Sequence, residues 1–185
     1  MRLFLFILTG IMLFAACEND MNDVDRLFSK EETKVETAKG VEMLYSDSSI
    51  LRLRIVSPVL VRHLDKREPW QEFPEGLEIE FFNEAGKVTS RLTANYATRS
   101  ETDNKFIVRD SVVWHSENGE KLESEELIWE EATDKVHTNK SVIVRRSDEI
   151  IFGHGFESNQ QFTQWKVQAI KGRLKANDLT KDFKN

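Results

Sequence analysis

Arg91-Leu92-Thr93-Ala94 and Lys121-Leu122-Glu123-Ser124 stand thirty positions apart and align without a gap. The same shift carries Phe106 onto Val136, Val108 onto Thr138, and Ser111-Val112-Val113 onto Ser141-Val142-Ile143. Apolar and small positions coincide along the whole unit. A third, looser copy begins near Ile151-Phe152-Gly153, and a longer, less regular one precedes them from Leu51 to Phe82. Repeats of this length are stacked supersecondary units that cannot close a core alone. Each unit reads as two strands of about ten residues. At about 4.8 Å per strand, four such units stack to roughly 40 Å. The expected result is a long trough.

Working outward from the repeat, alternation continues in both directions. Leu51, Leu53 and Ile55 are separated by Arg52 and Arg54. Leu77, Ile79 and Phe81 are separated by Glu78 and Glu80, and Leu92, Ala94 and Tyr96 by Thr93 and Asn95. A period of two places one set of side chains on one sheet face and the other set in water. Turn signals fall between the runs at Asn83-Glu84-Ala85-Gly86, Asn118-Gly119 and Ser147-Asp148. Many short strands with polar punctuation and no helical pattern predict an all-β sandwich or barrel. His154 between Gly153 and Gly155 predicts a bend or bulge, because glycine permits backbone that other residues avoid.

The amino end sets the compartment. Met1-Arg2 is followed by an uncharged apolar run from Leu3 to Phe14, then Ala15, Ala16 and Cys17. About twelve apolar residues are too few to span a bilayer core and suit a signal peptide. Phe14-Ala15-Ala16-Cys17 reads as a lipobox, although Leu is commoner than Phe at its first position. Residues 1–16 are then the signal, and Cys17 is the lipidated terminus. As the only cysteine it has no disulfide partner, and lipidation removes the liability of a free exported thiol. Two or more acyl chains hold a protein at a membrane, since each buried methylene contributes about 0.8 kcal/mol. Residues 17–40 are polar and read as a flexible tether, 41–176 as the β-domain, and 177–185 as a tail.

Several function classes are disfavoured. The net charge is −6, and removing Arg2 with the signal makes it −7. That balance argues against nucleic acid, which requires a concentrated basic face. His63, His115, His137 and His154 are dispersed without metal-ligand spacing, so no metal or other cofactor is expected. Glu125-Glu126 and Glu130-Glu131 read as solvated strand ends rather than a glycosidase pair. There is no nucleophile elbow and no phosphate-cradling glycine loop, so neither an enzyme nor an ATP-driven motor is expected.

The lipobox and the repeats, taken together, resemble the LptC family. The resemblance is carried by Tyr45-Ser46-Asp47, Phe73-Pro74-Glu75-Gly76-Leu77, Leu92-Thr93-Ala94-Asn95-Tyr96, Gly119-Glu120-Lys121-Leu122-Glu123-Ser124-Glu125 and Gly153-His154-Gly155-Phe156-Glu157-Ser158. It spans about Val41 to Leu174 and contains no catalytic signature. LptC is the periplasmic, bilayer-attached component of the lipopolysaccharide export ABC transporter. The resemblance implies an open β-jellyroll of stacked antiparallel strands, of the OstA/LptA-like kind. It implies an apolar interior that receives lipopolysaccharide acyl chains from the inner-membrane transporter subunits and passes them to a periplasmic LptA-like bridge protein. The location implied is the periplasmic side of the inner membrane. Many members use an uncleaved transmembrane helix, from which the lipobox departs.

On this reading the trough is lined by Leu51, Leu53, Ile55, Leu77, Ile79, Phe81, Leu92, Ala94, Tyr96, Phe106, Val108, Leu122, Val136, Val142 and Val144. Such a lining replaces membrane contacts at similar free energy, which a carrier needs in order to release as well as bind. The plainer reading of the same alternation is ordinary core packing. Small residues at Ala94 and Ser124 favour a cavity. Handover would use unpaired sheet edges, by strand addition to a partner. One predicted edge carries Val41, Met43 and Tyr45, and the other carries Trp165, Val167 and Ala169. The alternative function is a glycan-binding β-sandwich lipoprotein using exposed Trp70, Trp114, Trp129 or Trp165.

Overall fold

The computed structural model describes residues 35–64 and 67–175. The expected signal, Cys17, the expected tether up to residue 34 and the expected tail lie outside these. The described chain is all-β and antiparallel, consistent with a β-jellyroll-like fold. Its strands are β1 (Val35–Asp47), β2 (Ile50–His63), β3 (Trp70–Phe73), β4 (Leu77–Phe82), β5 (Val88–Ala94), β6 (Tyr96–Ser100), β7 (Lys105–Ser116), β8 (Lys121–Glu130), β9 (Lys135–Arg145), β10 (Glu149–Asn159) and β11 (Trp165–Lys175).

Two pairs of these are halves of single bent strands. β2 pairs with β4 through Leu53–Val56 and with β3 through Val61–His63. β7 likewise pairs with β5 through its second half and with β6 through its first. Joining β3 to β4 and β5 to β6 leaves nine bent strands in chain order, each bonded to the next. Only neighbouring hairpins are needed, and local pairings of this kind carry little loop-closure cost.

A crease runs across all the middle strands. Pairing is interrupted at Pro74–Gly76 between β3 and β4 and at Asn95 between β5 and β6. It then shifts between Arg109 and Val112, between Ser124 and Ile128, and between His154 and Phe156. Asp110 and Ser111 have left-handed backbone (φ 60° and 57°), as does Gly155 at 77°. Bulges bend a strand and increase its twist. A row of them folds the sheet over, so that both halves bury their inner side chains against one another. The bulge expected around His154 is present.

The thirty-residue period is structural. Leu92 and Leu122 both pair with Trp114, and Leu122 also pairs with Val144. In the next hairpin Ile151 pairs with Val144 and so takes the place of Leu122, a shift of twenty-nine. The missing residue is in the turn. Ser116 N–H bonds to the Glu120 carbonyl, whereas the equivalent Arg146 N–H bonds to Glu149.

Three sequence expectations change. The sheet begins at Val35 rather than Val41, since Val35 to Lys39 pair with His63 to Val59. This segment is mostly exposed on both faces, so backbone pairing and the Arg62–Glu36 ion pair (3.3 Å) tie it to β2 and no alternation marks it. Tyr96 is not in the core. Asn95 breaks the period of two, so Ala94 and Ala97 both turn inward while the Tyr96 hydroxyl donates to Glu72 Oε1 at 2.9 Å. Leu51 is only half-buried. Arg52 is bulged out between the Leu51–Ser46 and Leu53–Tyr45 pairs, and this shifts the phase.

Candidate lipid-binding interior

The other thirteen expected lining residues all belong to one buried apolar cluster. Leu53, Ile79, Phe81 and Leu92 come from one half of the folded sheet and Phe106, Val108, Leu127 and Val136 from the other, and together they surround a single apolar cavity. That cavity measures about 30 Å³. Little of the expected trough is therefore open space. The reason is aromatic volume: Phe73, Phe106 and Phe156 are almost wholly buried, with Phe73 and Phe106 5.6 Å apart.

The sequence reading missed Leu60, Phe73, Ala97, Val112, Trp114, Leu127, Ile151, Phe156 and Phe162 as core residues. Most lie past a bulge, where extrapolating the alternation fails. Ala97, Leu127 and Phe156 are recoverable from the repeat, since each stands five residues after its unit's Leu92, Leu122 or Ile151. Phe162 carries no such signal, because it sits in the β10–β11 turn.

Among the described residues β1 pairs with β2 alone and β11 with β10 alone. Val41, Met43, Trp165 and Val167 are half-buried and pack on the core. Tyr45 is 44% exposed and meets Trp129 edge-on at 6.4 Å. Ala169 is exposed, as are Leu44, Ile170 and Leu174. Apolar side chains on unpaired edges suit partner-strand addition.

The outer faces carry cross-strand ion pairs. Glu80 accepts from Arg54 (3.1 Å) and Arg91 (3.0 Å), Glu131 takes both arms of Arg99 (2.7 and 2.8 Å), and Glu126 accepts from Arg109 (2.7 Å). Arg145 and Arg146 are matched by Glu123 and Glu120. Among the described residues no His, Cys, Asp and Glu group could hold a metal. Trp114 is buried, and Trp70, Trp129 and Trp165 are half-buried. Trp70 stacks on His63 at 3.7 Å, and Arg146 lies over Trp165 at 5.9 Å.

Glu157 is bracketed by Lys135 and Lys166 from the two neighbouring strands. Their hydrogen bonds, Lys135 first, lower its carboxyl from 4.5 to about 2. A carboxyl held below its ordinary value adds stability that is complete above about pH 4.5 and is lost as pH falls toward 2. Glu157→Gln is therefore expected to melt at a lower temperature than the wild type at pH 7, and the gap closes near pH 2. Circular dichroism melts at three pH values read this directly. A gap as wide at pH 2 would assign the loss to packing instead.

Compared with known proteins, the chain matches no family model and no curated relative.

Proposed function

We propose that this chain binds the acyl chains of lipopolysaccharide in its apolar interior and passes them between the inner-membrane ABC transporter and a periplasmic bridge protein. It is anchored by lipid at Cys17 on the periplasmic face. On this reading the fold is an open β-jellyroll of the OstA/LptA-like kind and the chain is an LptC-like binding module, not an enzyme.

One observation carries the reading. The two half-sheets share one apolar interior, and among the described residues no strand ladder crosses the seam between them. Parting the halves along that seam separates side chains and breaks no ladder hydrogen bond. Acyl methylenes entering the seam replace the contacts that are lost, each worth about 0.8 kcal/mol. Exchange near neutrality is what a carrier requires, and net direction comes from the ATP-driven subunits. The free edges offer backbone donors and acceptors to the neighbours on either side.

The test is a photo-crosslinking amino acid at Phe81 or Phe106, with Glu78 as the solvent-facing control. Capture of lipopolysaccharide at the two interior positions, dependent on ATP, is expected. Equal labelling at Glu78, or none inside, would sink the proposal.

A further inference from the structure

The β10–β11 turn sends a side chain into the interior. Phe162 is 3% exposed, stacks on Trp114 at 4.7 Å and meets Phe81 edge-on at 5.8 Å. Its backbone is left-handed (φ 56°), a conformation unfavourable for any residue with a Cβ. Asn159 holds the turn there. Its Oδ1 accepts the N–H groups of Thr163 and Gln164, and its Nδ2 donates to Thr163 Oγ1.

Phe162 lines two spaces, one apolar and one of mixed polarity. One is the apolar cavity of about 30 Å³. The other is a cleft of about 460 Å³ whose lining includes Asn83, Thr89, Asn118, Glu120 and Gln161. Ser90 and Trp114 line the same cleft, and each is 4% exposed. Ser90 Oγ and Trp114 Nε1 have no hydrogen-bond partner. Ser90 is the cross-strand partner of Phe81, and Trp114 stacks on Phe162, so both lie at the aromatic divide. A buried donor without an acceptor has surrendered its water and gained nothing. Two of them at one boundary point to an acceptor that arrives with a ligand.

We infer that Ser90 and Trp114 are the donors of a binding site for the carbonyl oxygen that links an acyl chain to its headgroup, and that Phe162 holds the chain's place in the lipid-free form. The inference rests on the acyl-carrier reading and assigns that reading its headgroup end. An ester or amide carbonyl only accepts hydrogen bonds, and it sits where a lipid changes from apolar to polar. The divide at Phe162 has the same character. No Lys or Arg lines the cleft while Glu120 does, so a neutral oxygen fits better than a phosphate.

Two 16-carbon lysophosphatidylcholines that differ only in an ester or ether link at the chain test this. Binding to the full chain is measured at one fixed maltoside detergent concentration, by competition with a fluorescent acyl probe, so detergent effects cancel in the ratio. The wild type is expected to prefer the ester by about fivefold to tenfold, the range for one net hydrogen bond. Ser90→Ala and Trp114→Phe should each shrink that preference. Phe162→Ala should raise affinity for both lipids alike. Equal affinity for ester and ether in the wild type, or a preference that survives both substitutions, overturns the donor site and leaves the acyl-carrier reading standing. No saturable binding of either lipid by wild type and Phe162→Ala overturns both.

Discussion

Phe73→Ala is expected to lower the stability of the β-domain by about 3–5 kcal/mol, the range for truncating a buried phenylalanine. Phe73 is fully buried at the end of β3, beside the crease, with Phe106 tilted against it at 5.6 Å. Its backbone neighbours are pinned by pairing to Ala97 and by the Gly76 N–H bonding to its own carbonyl. The site cannot easily collapse onto the space, so both the transfer and the cavity contributions are lost. Domains of this size are stable by about 5–15 kcal/mol in total. Urea unfolding followed by Trp fluorescence reads the change. Leu44→Ala is the control: Leu44 is 63% exposed, and its loss should stay within about 0.5 kcal/mol. A Phe73→Ala cost below about 1 kcal/mol would mean that the crease repacks freely.

Gly76→Ala is expected to cost about 3 kcal/mol or more, from two sources that a second glycine separates. Gly76 has φ 79°, and an added Cβ would come within 2.6 Å of the Ala94 carbonyl oxygen and 3.2 Å of the Asn95 Cα. Both are backbone atoms on the paired strand, so neither can swing aside. The Gly76 carbonyl also accepts the Ser57 hydroxyl at 2.8 Å, which ties the bend to β2. Gly86 has nearly the same φ, 74°, but a Cβ there meets nothing. Gly86→Ala should therefore cost only about 1 kcal/mol, the conformational part alone. Equal costs at the two sites, measured by the same unfolding experiment, would remove the steric argument. A large excess at Gly76 would identify the crease as the place where close backbone approach limits the fold.

The repeat made most of the interior legible before any fold was known. Leu92, Leu122, Phe106, Val136 and Val142 are buried because a thirty-residue period repeats one hairpin, and a hairpin repeated in a meander presents the same face each time. Alternation failed wherever the strand bends. Tyr96 and Leu51 were assigned by a period of two that Asn95 and the bulged Arg52 interrupt. Residues 35–39 carry no apolar pattern because an edge strand exposed on both faces is held by backbone pairing and a surface ion pair. Phe162 was invisible because its burial depends on where a turn folds, and nothing in Asn159–Gln164 says which space that turn will cover.

Read in order, the residues were sufficient for strand class, the two-stranded repeat unit and most of the apolar face of each hairpin. These depend on side chains a few positions apart, and local chemistry encodes them. Whether the apolar faces enclose a hollow or a filled space depended on the folded chain. So did which donors lose their partners, and whether β1 and β11 meet. Those properties arise between segments up to a hundred or more residues apart, where the row of bulges sets the angle between half-sheets and aromatic volume decides how much space remains.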